Sequence, residues 1–304
     1  MTVLITGVNG FIGRHLAVHL LKLGYEVNGI GLSSNCLVNN INNYFSGTIL
    51  DSHLVNKIIK NTDVVIHLAA ITGHSEIVNQ KYKTFDINFR GTLNILNAYK
   101  NSERANKFIY TSTGKVYGKI VQNPIIEKTW LQPLNILGKS KHITEQLIDF
   151  YSDIKKEFII FRMFQIYGPN QKNNFLIPSI ISQVLSGSGN QRNIILGDIK
   201  AQRDYVYIDD AVKAFVKAID QKMRENINIF NICSGIPTSA EDIIQIFSKI
   251  LDIEIEVKIN KALFRHDEEN IEYGSYKKAK SILNWSPIIS LEDGLRKTLD
   301  AKIY

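Results

Sequence analysis

Gly7, Gly10 and Gly13 in GVNGFIGRHL stand directly after an apolar run, VLIT, and directly before an amphipathic stretch of helical period. Glycine at this spacing lets the chain turn tightly and lets its backbone approach a ligand. A helix that begins there points unpaired N–H groups and the positive end of its dipole at an anion. The chemistry this suits is the holding of a dinucleotide pyrophosphate, with Phe11 and Ile12 in the first helical turn, rather than a plain turn. His67, inside DVVIHLAA, reads instead as a core histidine, since it sits in an apolar run with no partner in view.

Elements must position these residues. The first half of the chain alternates short apolar runs with amphipathic stretches: VLITG, FIGRHLAVHLLKLG, EVNGIG, DVVIHLAA, a long helix-like segment to Tyr99, KFIYTST and FIIFRMF. Strand and crossover helix in repetition predict an α/β fold, a doubly wound parallel sheet with helices on both faces. After Gly168-Pro169 the character changes. NIILG, NINIFNIC and IEIEVKI read as shorter strands, and Thr238-x-x-Glu241 and Ser290-x-x-Asp293 read as capping boxes. The expected organisation is a dinucleotide-binding unit over residues 1–168 and a smaller mixed α/β lobe over 169–304, with some of the chain crossing between them. No internal repeat or Pro-rich linker separates the two, so they should share an interface.

The 304 residues suffice for one large domain or two lobes around a cleft. With 44% hydrophobic and 21% charged residues, the composition is that of a globular protein. No run approaches the roughly 18 apolar residues of a membrane span. MTVLITGVNG lacks the basic stretch and long apolar centre of a secretory signal, so the expectation is a cytoplasmic protein with no membrane partner. Cys36 and Cys233 lie far apart without a C-x-x-C spacing, which argues against a disulfide framework and against a metal site. The net charge of +7, from 36 basic and 29 acidic residues, is spread along the chain. That distribution speaks for solvated helix faces and against a nucleic-acid partner, while still helping to attract a diphosphate.

GVNGFIG, DVVIHLAA, YTSTGKVYG, PLNILGKSKHITE, FRMFQIYGPNQ and GDIKAQRDYVYIDDAVKAF follow one another in an order that resembles the extended short-chain dehydrogenase/reductase superfamily, the NAD-dependent epimerases and dehydratases of nucleotide sugars. The resemblance spans nearly the whole chain, closing with LNWSPIISLEDGL. It implies a Rossmann-type unit binding NAD or NADP, a carboxyl-terminal lobe binding a nucleotide-diphosphosugar, and hydride transfer at C4 of the sugar. It implies that Leu68, Ala69 and Ala70 lie along the ribose and nicotinamide, that Thr113 bonds the reacting sugar oxygen, and that Lys141 bonds the nicotinamide ribose. Gln165 would touch the diphosphate, Arg203 and Arg265 the phosphates or nucleotide ribose, and Asn174 and Leu196 the base. A homodimer through the helices ending near Tyr99 and following Lys141 is also implied.

The departures are as informative. The motif P-x-x-x-Y-G-x-S-K expects its catalytic tyrosine at position 137, where the chain has Leu137. Either the proton is then carried by Lys141, Thr113, Lys115 or Tyr117, or the chemistry begins from an already oxidised sugar, or the protein binds without turning over. Gly114 and Lys115 stand where 4,6-dehydratases carry an acid and a base, so a 4-epimerase is the first reading. A 4-keto-sugar reductase, an unusual dehydratase and a non-catalytic binding protein are the alternatives. At the adenosine end, Gly31 replaces the acidic residue and Thr48 the adenine-bonding aspartate, with Ile49 offering backbone; Ser33 or Ser34 could bond either cofactor, leaving NAD against NADP open.

Overall fold

The structure, a computed structural model, describes residues 1–151, 155–264 and 269–303. The first part of the chain runs β1 (Thr2–Thr6), α1 (Phe11–Lys22), β2 (Glu26–Gly31), β3 (Asn43–Ser46), α2 (Ser52–Ile59), β4 (Val64–His67), α3 (His74–Asn79), α4 (Lys81–Phe85), α5 (Thr92–Asn101), β5 (Lys107–Thr113), α6 (Ile136–Phe150) and β6 (Glu157–Met163). The remainder runs β7 (Gln165–Tyr167), α7 (Leu176–Ser186), β8 (Gln191–Leu196), β9 (Gln202–Tyr207), α8 (Ile208–Asp220) and β10 (Ile227–Ile232). It closes with β11 (Pro237–Ser239), α9 (Ala240–Leu251), β12 (Glu254–Ile259), β13 (Ile271–Glu272), α10 (Lys277–Leu283) and α11 (Leu291–Ile303).

Seven parallel strands in the order β10-β6-β5-β4-β1-β2-β3 form the main sheet. Its central strands are buried on both faces, which is why they read as near-continuous apolar runs. Leu16, Leu20, Ala211 and Phe215 from α1 and α8 cover one face. Val55, Ile59, Leu96, Tyr99 and Ile148 from α2, α5 and α6 cover the other. Strand order reverses between β1 and β4, so the crevice outside their carboxyl ends is where such a sheet places a ligand.

Three details differ from expectation. NINIFNIC does not join the second lobe. As β10 it pairs with β6 along its whole length, because Phe230 and Ile232 need burial that only the main sheet supplies. The long helical segment to Tyr99 is broken into α3, α4 and α5 with a π-helical turn at Asp86–Gly91. There the buried Asn88 side chain bonds both backbone groups of Ile71, while its own carbonyl accepts from the Thr92 hydroxyl, widening the turn. The capping box before α9 is formed by Ser239 and Asp242 rather than Thr238 and Glu241, because the helix starts one residue later, at Ala240. At the start of α11 the Ser290 hydroxyl accepts from Asp293 N–H at 3.1 Å and donates to its carboxylate at 2.6 Å, an N-cap rather than a reciprocal box.

The second lobe contains β7, β11 and β13 around β9, and a two-stranded ladder of β8 and β12. β10 and the docking of α8 on α1 tie it to the sheet.

Candidate active site

The carboxyl ends of β1, β4 and β5 open on a cleft of about 360 Å³. Its sheet-side wall begins with the glycine turn. Gly7 has φ of +71°, and a side chain at Gly13 would place its Cβ 2.4 Å from the Gly7 carbonyl oxygen, so only glycine lets α1 start this close to β1. Gly10 is the N-cap of α1 and no side chain bonds the first-turn N–H groups. An uncapped terminus facing a cleft, with no acidic residue in its first turn, fits a pyrophosphate. Arg14, next in the helix, gives its Nη2 to the Asn170 carbonyl at 3.2 Å across the lobes, while its Nε is buried with no bonding partner among the described residues.

Leu68 and Ala70 line the middle of the cleft. Ala69 packs with its Cα 3.0 Å from where a Gly7 Cβ would stand, and its N–H donates to the Thr6 hydroxyl. His67 behind them is 1% exposed, with Nδ1 on Thr6 Oγ1 at 2.7 Å and Nε2 on Thr92 Oγ1 at 2.8 Å. Burial, helped by the Lys141 charge, lowers its pKa to about 3, so it is a neutral core histidine bonded to hydroxyls.

The reacting wall combines Thr113 at the end of β5 with Leu137 and Lys141, one turn apart on α6. Asn135 caps α6 by accepting from Gly138 N–H at 2.9 Å, which sets the helix start beside the cleft. Lys141 is 4% exposed, donates to the Thr111 carbonyl at 2.7 Å and lies over the Tyr110 ring at 4.7 Å. Burial lowers its pKa to about 7, against a smaller upward pull from Glu145. That carboxylate is committed elsewhere: Arg162 Nη2 donates to it at 2.7 Å, and Ser112 donates its hydroxyl to it.

Two alternatives to the tyrosine do not face the cleft. Tyr117 is fully buried, donates to Asn231 Oδ1 at 2.6 Å and accepts from Arg162 Nη1 at 3.1 Å; burial raises its pKa. Lys115 pairs with Glu272 of β13 at 2.7 Å, an ion pair that joins the β5 turn to the second lobe.

The second lobe contributes Gln165 and Asn174, with Phe164, Asn170 and Lys172. Leu196 instead packs in the core at 5% exposure, and the Arg203 guanidinium donates to the Gln202 and Asn270 carbonyls at 2.8 and 3.3 Å. Neither lines the cleft. Arg265 lies outside the described residues. Gly31, Ser33, Ser34, Thr48 and Ile49 stand beyond the cleft's lining, around the end of β2; Thr48 Oγ1 accepts from Leu50 N–H, and Ile49 is buried with its carbonyl on Asn94.

Sequence reasoning passed over Arg14, Glu76 and Lys172, all on the cleft wall. Arg14 directly follows the third glycine and Lys172 follows YGPNQ, so adjacency to motifs was the available signal; Glu76 had none. Among the described residues no cluster of His, Cys, Asp and Glu could hold a metal ion, and no helix is long and apolar enough to cross a membrane.

The sheet order and the glycine turn define a dinucleotide-type α/β protein, and comparison with known sequences is more specific. The chain belongs to the GDP-mannose 4,6-dehydratase family, whose profile matches residues 4–298, and thus to the extended NAD-dependent epimerase/dehydratases. A dTDP-D-glucose 4,6-dehydratase of Dictyostelium discoideum is 35% identical over 278 residues, 83% of this chain but only 62% of the relative's length. A UDP-N-acetyl-alpha-D-glucosaminuronate decarboxylase of Bacillus cytotoxicus is 32% identical, covering 97% of this chain and 96% of the relative. The crystal structure of UDP-glucuronic acid 4-epimerase from Bacillus cereus, in complex with UDP-glucuronic acid and NAD, superposes with a TM-score of 0.89 at 29% identity over the full length of both chains. These relatives are named for different reactions, all on nucleoside-diphosphate sugars.

Proposed function

We propose that this chain holds NAD or NADP against the sheet-side wall and a nucleotide-diphosphosugar against the second lobe, and acts as a 4-epimerase by hydride transfer at C4. The observation that carries this is the convergence on one cleft of the uncapped α1 terminus, Thr113 and Lys141 with Gln165 and Asn174. The nicotinamide supplies the hydride acceptor and donor. The Thr113 hydroxyl bonds the sugar oxygen and fixes which carbon faces the ring. Lys141 takes and returns the hydroxyl proton in place of the missing phenol: burial lowers its pKa to about 7, so far more of it is free amine near neutral pH than of an ordinary lysine near 10.4. Lys172, the other lysine on the cleft wall, is exposed. Gly114 and Lys115 supply no carboxylate pair for loss of water, which favours epimerisation. Exposed Tyr82 and Phe85 on α4, with Ile143 and Phe150 on α6, support a homodimer through these helices, testable by light scattering.

The test is product analysis by NMR with purified protein and a panel of uridine, guanosine, thymidine and cytidine diphosphate sugars, run beside Leu137→Tyr. Inversion at C4 without net cofactor consumption supports the proposal. Consumption of reduced cofactor by a keto sugar would make it a reductase, and loss of water a dehydratase. Binding without turnover, with activity gained by Leu137→Tyr, would make it a binding protein that lost one group.

A further inference from the structure

We propose that the adenosine end of the cofactor site does not discriminate between NAD and NADP, because an uncharged latch of Asn9, Tyr44 and the 33–37 loop fills the place where a selecting charge would act. This rests on the reading of the cleft as a cofactor site. In a strand-turn-helix dinucleotide site, the end of the second strand meets the adenosine ribose. A carboxylate there favours the 2′-hydroxyl of NAD, and an arginine nearby accommodates the 2′-phosphate of NADP.

Here β2 ends in Gly31, and the whole run from Gly31 to Leu50 contains no Asp, Glu, Lys, Arg or His. The space is nevertheless filled. A Cβ at Gly31 would lie 3.1 Å from the Tyr44 hydroxyl and 3.6 Å from Asn9 Nδ2. Asn9 stands in the glycine turn, immediately before Gly10, and lines the cleft. Its Nδ2 donates to the Asn35 carbonyl at 3.0 Å and to Tyr44 Oη at 3.2 Å, and its Oδ1 accepts from Leu37 N–H at 2.8 Å. Tyr44 Oη donates in turn to the Ser33 carbonyl at 2.6 Å. One amide and one phenol thus pin the loop from 33 to 37 against the glycine turn without placing a charge there. Desolvation raises the Tyr44 pKa, so the phenol stays neutral across the physiological range.

Arg14 is turned toward Asn170 of the second lobe. What remains around the ribose is the exposed loop with Ser33 and Ser34. The run from Gly31 to Leu50 offers a 2′-phosphate of roughly −2 charge neither a carboxylate to repel it nor a cation to hold it, and on an exposed loop it would keep much of its hydration.

The experiment is calorimetric titration of the full chain with NAD⁺ and with NADP⁺, repeated on Ser34→Arg, Ser34→Asp and Asn9→Ala. The expected dissociation constants for wild type agree within about tenfold. Ser34→Arg should shift the ratio of the two affinities toward NADP⁺ by about tenfold, and Ser34→Asp should shift it toward NAD⁺. Asn9→Ala should weaken both by the same factor, since it frees the loop without altering charge. A wild-type preference above about 100-fold for either cofactor overturns the inference while leaving the cofactor reading standing. So does a Ser34→Arg variant whose ratio is unchanged, because the 2′ oxygen would then lie elsewhere. Binding of neither cofactor removes the cofactor reading and the inference with it.

Discussion

The sheet-side wall of the cleft turns on backbone: the glycine turn and the uncapped start of α1 bring main-chain groups to the cleft, beside side chains such as Leu68 and Arg14. The wall from the second lobe is built from long polar side chains, Gln165, Lys172 and Asn174, carried on β7 and the segment that follows it. Between them α6 presents side chains held from behind by a buried ion pair. Where backbone itself closes the wall, at Gly7 and Gly13, the sequence is held to glycine. A side-chain wall can exchange residues without disturbing the fold, which is how Leu137 can stand one turn from an intact Lys141.

Breaking the backing of α6 should cost the most. Glu145→Ala leaves Arg162, 3% exposed, as an uncompensated buried charge, with an expected loss of about 3–5 kcal/mol in urea unfolding. Gly13→Val should follow, at about 3 kcal/mol with cofactor binding lost in titration, since its Cβ would meet backbone atoms of Gly7 and Val8 that have nowhere to move. Lys141→Met removes the proposed proton carrier and should lower turnover by about 100-fold or more, while sugar-nucleotide affinity, read by calorimetry, changes little.

The same lysine sharpens the comparison through pH. Its folded pKa of about 7 lies below the ordinary value, so the unfolded chain binds the extra proton between the two. Stability should therefore rise with pH from about 7 to about 10, by up to about 1.4 kcal/mol per unit; the penalty is fully present below 7. Denaturation midpoints of wild type and Lys141→Met across that window would show the slope in the first and its loss in the second. The smallest effect belongs to the second-lobe wall. Asn174→Ala, at an exposed position, should raise the substrate dissociation constant a few-fold, about 1 kcal/mol, without altering melting.

Much of this was legible beforehand. The alternation of VLIT, EVNGIG, DVVIHLAA and KFIYTST with helical stretches determined a parallel sheet, because strands buried on both faces must be apolar throughout. The glycine spacing pointed to the turn before α1, because backbone turns and helix starts are local events, whereas Thr113 and Lys141 came from the family resemblance. The destination of NINIFNIC was not legible, since its pairing with β6 is a contact between distant segments. Nor could the sequence show that Tyr117 points at Asn231 and Arg162, that Lys115 is spent on Glu272, or that Asn9 and Tyr44 meet beside Gly31. Each of those facts depends on side chains brought together across 35 residues or more, or on which face of a turn meets the cleft. The sequence alone determined which groups are present and which are missing, above all the phenol at 137. Only the tertiary structure decided which of the remaining groups face the cleft, and it placed Lys141 there because burial on the inner face of α6 both aims its amine and lowers its affinity for a proton.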